Sequence, residues 1–222
     1  MNIIGKHNIE IVVLATKKKD ILTTKYLEPN IAHNVYINTD WEIPRYTIPN
    51  NIKKLSSHGC EPGPFRCFRG HQEMLKTANS PKILALEDDA VPNTPEWQQI
   101  VVDSSDLLNQ YDAVSLHARH IQGIKNKFKH KDRWYATLQP TNNEQVQGVC
   151  WALAALAYLV GPNGRKKLCD EQYIGMPFDI LLYNINTCIL LDSPYDHDRR
   201  FGSVIENRMV FIPTQKADKI KP

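Results

Sequence analysis

Apolar and polar positions come in short blocks along this chain, and their period changes from block to block. Residues 9–16, IEIVVLAT, are a β-branched run that ends in polar residues, which predicts a buried first strand. Residues 34–40, NVYINTD, predict a second strand. A loop containing Pro and Gly follows at 58–66. FRCFRGHQEMLKTANS (65–80) then sets Phe65, Phe68, Met74 and Leu75 on one face of a helix. In PKILALEDDAVPN (81–93) four apolar residues, Ile83 to Leu86, run directly into three carboxylates, Glu87, Asp88 and Asp89.

Farther on, residues 93–110 predict a helix capped by Asn93 or Thr94, with Pro95 in its first turn. Residues 112–118 read as a strand, and 120–134 as a basic, mobile loop. Residues 133–140 and 144–161 are strand-like, and 161–171 start a helix. Residues 176–202 complete the core, and 213–222 form a polar tail. Strands alternating with helices predict one α/β domain whose sheet is covered on both faces. Ligands in such sheets bind beyond the carboxyl ends of the strands, where Glu87–Asp89 fall.

Composition narrows the class only mildly. With 222 residues, 42% apolar and 23% charged, the chain can build one real core. A formal charge of +3 permits an anionic partner without demanding nucleic acid. The five cysteines (Cys60, Cys67, Cys150, Cys169, Cys188) include no CxxC, which argues against a disulfide framework or a zinc knuckle and for a reducing compartment. Lys6, His7 and Glu10 interrupt the N-terminal apolar stretch, so it does not read as a signal peptide. The longest apolar run, 149–161, is too short to span a bilayer. These features set the expectation of a cytoplasmic protein without a membrane anchor of its own.

The acidic triplet carries the chemistry. Burying carboxylates is costly unless a cation compensates them. Three readings stand open: a solvated strand end, a hard-cation site for Mg²⁺ or Mn²⁺, and an acid/base pair of a hydrolase. Side chains alternate along a strand, so Glu87 and Asp89 can share one site that Asp88 does not easily join. The chain has no GxxxxGK[ST], GxGxxG, GxSxG or HExxH, so a metal-bridged diphosphate is the simplest way for it to hold a nucleotide.

CFRGHQEMLKTANSPKILALEDDAVP resembles the lipooligosaccharide-type glycosyltransferases, glycosyltransferase family 25. In that family a Cys-x-x-Ser-His element opens a helix and a strand ends in Leu-Glu-Asp-Asp-Ala. Cys67 and His71 fall on that spacing, while Gly70 replaces the serine. ALAYLVGPNGRKKL and MPFDILL resemble the family's later strand-turn-helix and its Pro-x-Asp element, so the likeness runs from about 63 to about 183. It implies a single-domain type-A glycosyltransferase fold, with a Rossmann-like mixed sheet. Residues 9–117 would form the nucleotide-sugar half and 118–212 the acceptor half. The small size also resembles compact glycosyltransferase domains of large DNA viruses. The implied activity moves a sugar from a nucleoside-diphosphate sugar to a hydroxyl of a glycan or glycoconjugate, with inversion and with Mn²⁺ or Mg²⁺. The implied compartment is the cytoplasm, of a bacterium or of a virus's host.

The resemblance also assigns roles. Asp89 is the expected metal ligand, with Glu87 and Asp88 supporting it or touching the ribose, and His197 in DSPYDHDRRFG is a candidate further ligand. Ala15, Thr16 and Lys17, with Asn38 and Asp40, sit where strand ends meet a nucleotide; Thr39 shares that position. Arg66, Arg69 and His71 precede or open a helix whose N-terminus suits an anion, and Arg199 or Arg200 could neutralise diphosphate. Asp179 matches the Pro-x-Asp element and is the candidate base. Each keeps a bland alternative: a solvated lysine run at 17–19, a surface arginine, a loop histidine paired with Asp196 and Asp198, an N-cap at Asp179. HARH (117–120) and His130 lack a cysteine partner and give only a weak zinc pattern.

Other functions remain open at this level. The basic segment KNKFKHKDRW could track a nucleic-acid backbone, making hydroxymethylated DNA bases the acceptor, or it could close over a nucleotide sugar. A nucleotidyltransferase needs the same metal and nucleotide geometry. A sugar-nucleotide-binding domain without catalysis is the third class.

Overall fold

The computed structural model describes residues 3–16, 21–27, 31–39, 62–117, 126–137, 155–170 and 178–197. Ten strands alternate with six α-helices among them. The strands are β1 (Ile9–Ala15), β2 (Asn34–Ile37), β3 (Lys82–Glu87), β4 (Ala90–Pro92), β5 (Ala113–Ser115), β6 (Lys127–His130), β7 (Arg133–Thr137), β8 (Ala157–Val160), β9 (Thr187–Leu190) and β10 (Tyr195–His197). The helices are α1 (Ile3–Lys6), α2 (Leu22–Leu27), α3 (Pro62–Thr77), α4 (Trp97–Ser105), α5 (Pro162–Asp170) and α6 (Phe178–Asn184).

Eight strands form one mixed sheet in the order β2-β1-β3-β8-β5-β9-β7-β6. β2, β1 and β3 are parallel, and β5 is parallel to β9; β8 runs antiparallel between β3 and β5. The strict alternation of β1 explains the layering. Ile9, Ile11 and Val13 point to one face, where Leu84 and Leu86 meet Ile4 of α1, Leu27 of α2 and Trp97, Ile100 and Val101 of α4. Val12 and Leu14 point to the other, against Phe65, Phe68, Met74 and Leu75 of α3, Leu168 of α5 and Phe178, Leu181 and Leu182 of α6. Helices therefore cover both faces, as the pattern predicts. The helix face read for α3 is the buried one.

Three local expectations are corrected. The described part of the segment read as a basic loop holds strand β6, which pairs in a β-hairpin with β7, inside the stretch 133–140 read as strand-like: His130 pairs with Arg133 around a turn in which Lys131 has φ +51°. Inward residues hold it, since Phe128 stacks on Tyr111 and Tyr135, and the Tyr135 hydroxyl lies 2.9 Å from Ser104 Oγ. The Lys131 ammonium sits 2.9 Å from Asp103 and 2.7 Å from Asp106, which anchors the strained turn to the end of α4. Residues 118–125 lie outside the described residues. Second, α4 starts at Trp97 after Glu96, whose side chain makes no capping bond to the helix and instead accepts the Thr94 hydroxyl; the Asn93 amide donates to Ser193 O at 3.0 Å and Asp196 Oδ1 at 3.2 Å. Third, α3 begins at Pro62, so Arg66, Arg69 and His71 lie inside the helix rather than at its opening.

Two glycines mark close approaches. A Cβ on Gly164 would come within 2.1 Å of Asp112 O, so α5 rests directly on the backbone entering β5. A Cβ on Gly70 would come within 2.5 Å of Asn38 Nδ2, where α3 crosses the end of β2. Among the described residues no helix is long and apolar enough to cross a membrane.

Candidate active site

The carboxyl ends of β1, β2 and β3 lie side by side, and the acidic turn grows from the last of them. β3 ends at Glu87, whose amide donates to Leu156 O at 2.9 Å. The chain then turns through Asp88 and Asp89 into β4, which pairs antiparallel with β10. Helix α2 pins this turn. Thr23 Oγ1 lies 2.7 Å from Glu87 O and 2.9 Å from Ala90 O, and the Thr23 amide donates to Asp88 O at 3.2 Å. The strand alternation used to separate Asp88 from its neighbours stops at Glu87, so the three carboxylates are set by the turn, not by the pleat.

Each carboxylate has its own surroundings. Asp88 Oδ2 accepts the Thr16 amide at 3.2 Å and lies 3.5 Å from the Thr16 hydroxyl, closing the end of β1 onto the end of β3. Burial pushes the Asp88 carboxyl up to about 6, with the charges of Asp89 and Glu87 adding and the Thr16 bonds opposing. One oxygen of Asp89 is shielded from water. Glu87, with 27% of its side chain exposed, lies 3.2 Å from Nε2 of the fully buried His71.

His71 is gripped from three sides. Its Nδ1 is 3.1 Å from the Tyr158 hydroxyl, its ring stacks on Phe178 at 4.3 Å, and Nε2 meets Glu87. One helical turn earlier, Cys67 projects to the same place: its sulfur, a ring nitrogen of His71 and a Glu87 oxygen lie within 4.8 Å of one another. Burial drives the Cys67 thiol well above its ordinary range, and the charges of Glu87, Asp179, Asp88 and Asp89 push the same way. Tyr158 is driven up likewise, by burial first and then by Glu87. Four carboxylates thus converge electrostatically on one interior point.

The remaining expected residues divide. Ala15 and Thr16 are at the site through β1; Asp179, in the first turn of α6, adds its charge to the field on Cys67, and its Oδ1 accepts the Ala155 amide at 2.7 Å. Asn38 is buried at the end of β2, but its amide donates to Arg66 O at 2.8 Å and so ties β2 to α3. Arg69 is exposed and Arg66 half-buried. The β10–β4 register sets the backbone of His197 opposite Ala90, the residue after Asp89. Lys17, Asp40, Arg199 and Arg200 lie outside the described residues. His117 and His130 serve the framework: their ring nitrogens lie 3.0 Å from Tyr195 O and 3.1 Å from Asp103 O.

Sequence reasoning missed Thr23, Tyr158 and Phe178, and it noticed Cys67 only as part of a spacing. The i, i+4 step from Cys67 to His71 was the available signal. Its partner on β3 becomes visible only when α3 is laid across the sheet.

No family model matches the chain, and no curated protein matches it. Among solved structures it is similar to A197 from STIV, with 10% identity and a TM-score of 0.37 over 84% of this chain and 82% of that one. It is also similar to HddC from Yersinia pseudotuberculosis, with 11% identity and a TM-score of 0.38 over 84% of this chain and 71% of that one. Both likenesses are loose. The likeness to glycosyltransferase family 25 therefore rests on the motifs alone.

Proposed function

We propose that the chain is a glycosyltransferase of the type-A fold that depends on a divalent cation. It would transfer a sugar from a nucleoside-diphosphate sugar to a hydroxyl of a glycan or glycoconjugate, with inversion. One observation carries the reading: three carboxylates are pinned in a turn at the carboxyl end of a central parallel strand, beside the ends of β1 and β2. Burial, with the neighbouring charges of Asp89 and Glu87 adding to it, pushes the Asp88 carboxyl up to about 6, and a cation beside it would offset both; the oxygen-rich donor set fits Mn²⁺ or Mg²⁺.

Asp89 and Glu87 would hold the ion, with His197 as a further ligand. Bound there, the cation would neutralise the departing diphosphate. Asp88, bonded to Thr16, would support the ion or meet the ribose, while Ala15, Thr16 and Lys17 would line the nucleotide side with Asn38 and Asp40. Arg66, Arg69 and Arg199 would meet phosphate. Asp179 would accept the proton of the acceptor hydroxyl, its Ala155 bond fixing the carboxyl for that task. His71 is a positioning residue that orients Glu87.

Calorimetric titration of a panel of nucleotide sugars, with and without Mn²⁺, tests this on wild type and Asp89→Ala. The expected result is cation-dependent binding of one donor that falls at least tenfold in the variant. With acceptor present, nucleoside diphosphate should then be released. Release of pyrophosphate would make the chain a nucleotidyltransferase, and binding indifferent to both cation and Asp89 would overturn the assignment.

A further inference from the structure

Beside the acidic turn lies a second donor set of different chemistry. We propose that Cys67, His71 and Glu87 form a binding site for a borderline divalent ion of the Zn²⁺ type, three protein ligands deep with a fourth position open. This goes beyond the transferase reading, whose ion sits on the oxygen-rich set at Asp89; the two share Glu87 and His71, the residue that orients it.

Geometry supports the proposal. A tetrahedral zinc with bonds of about 2.0–2.3 Å keeps its ligand atoms about 3.4–3.6 Å apart. His71 Nε2 and Glu87 Oε1 already stand 3.2 Å apart, and all three atoms lie within 4.8 Å of one another. Closing the remaining gap needs the sulfur to move by about an ångström, a side-chain adjustment. Cys67 and His71 share one helical face, so the rigid α3 sets their spacing.

The surroundings of His71 provide the independent support. A ligating imidazole commonly donates its other N–H to a fixed partner, which sets tautomer and ring plane. Here that partner exists: Tyr158 OH lies 3.1 Å from Nδ1, and Phe178 stacks on the ring. The Tyr158 hydroxyl can accept from Nδ1–H when Nε2 binds an ion, or donate to Nδ1 when Nε2–H points to Glu87. Ion binding therefore leaves no buried nitrogen without a partner. The Cys67 proton goes to solvent, and the negative surroundings from Glu87, Asp179, Asp88 and Asp89 favour the cation that replaces it. A thiolate, an imidazole and a carboxylate together select Zn²⁺ or Co²⁺ over Mg²⁺.

The test is titration of the chelator-treated full chain with Co²⁺, followed by absorbance. A thiolate-to-cobalt charge-transfer band should rise to one equivalent, persist in Cys169→Ser, vanish in Cys67→Ser and be displaced by Zn²⁺. No band in wild type, or one that survives Cys67→Ser, overturns the proposal. Should Cys67→Ser fail to fold, Glu87→Gln keeps the thiol and should weaken cobalt binding at least tenfold; unchanged affinity there also overturns it. Asp89→Ala separates the two ideas: it should weaken binding of the nucleotide sugar at least tenfold and leave the cobalt band in place.

Discussion

At the scale of single residues, Gly70 shows how a departure from a motif is compensated by a neighbour. The family pattern that the segment resembles has serine there. In this chain the space that a Cβ would need is filled by the amide of Asn38, 2.5 Å from the built position, with Leu14 at 3.2 Å behind it. The Asn38 amide is also bonded to Arg66 O, so it cannot swing aside freely. Gly70→Ala should therefore destabilise the protein by about 1–3 kcal/mol, the usual cost of overpacking, although alanine is the better helix former. In an Asn38→Ala background the same change should cost less, with a coupling on the order of 0.5–3 kcal/mol. Denaturant midpoints of the four proteins in this cycle decide it. Additive costs would show that Asn38 is not the obstacle.

At the scale of elements, the N-terminal edge of the sheet is tied by one carboxylate. Glu10 on β1 accepts the Asn79 and Ser80 amides at 2.7 Å each and the Asn34 side-chain amide at 2.7 Å. It thereby joins β1, the start of β2 and the connection from α3 to β3. Partial burial pulls its carboxyl upward, but the Ser80, Asn79 and Asn34 bonds outweigh that and hold it below the ordinary glutamate range. A carboxyl depressed in the folded state contributes stability above its unfolded value and loses it as pH falls through the folded one. Wild type should therefore exceed Glu10→Gln in thermal midpoint at pH 7, and the gap should begin to narrow below about pH 4 and close as pH falls through the lowered folded value. The difference is on the order of 1 kcal/mol, because solvent screens this partly exposed group. A gap that does not narrow at all between pH 7 and about pH 3 would mean the amide contacts do not depend on the charge.

At the scale of the whole molecule, the layered sheet was legible because its strongest signals are local. The runs at β1 and β3 and the stripe of α3 each announce an element without help from distant residues. β7 was legible as strand-like, but its hairpin partner β6 was hidden because the outward lysines, Lys127 and Lys129, masked the inward position of Phe128. The site was legible at Glu87–Asp89, where chemistry sits in one run, and illegible at Cys67, Tyr158 and Phe178, which meet only through packing across the sheet. That same packing would make the proposed cation binding a property of the entire fold. The pinned turn draws on α2 through Thr23, on β1 through Thr16 and on α3 through His71, so an ion seated there must favour the folded state over the unfolded one. At a hundredfold excess over its dissociation constant, a ligand specific for the folded state adds about 2.7 kcal/mol. For a chain of this size that corresponds to a rise of about 5–10 °C in thermal midpoint. Chelator-treated protein should show this rise with Mn²⁺ and donor together, and Thr23→Val, which loosens the turn without removing a carboxylate, should shrink it. An unchanged midpoint with saturating cation and donor would separate the acidic turn from ligand binding altogether.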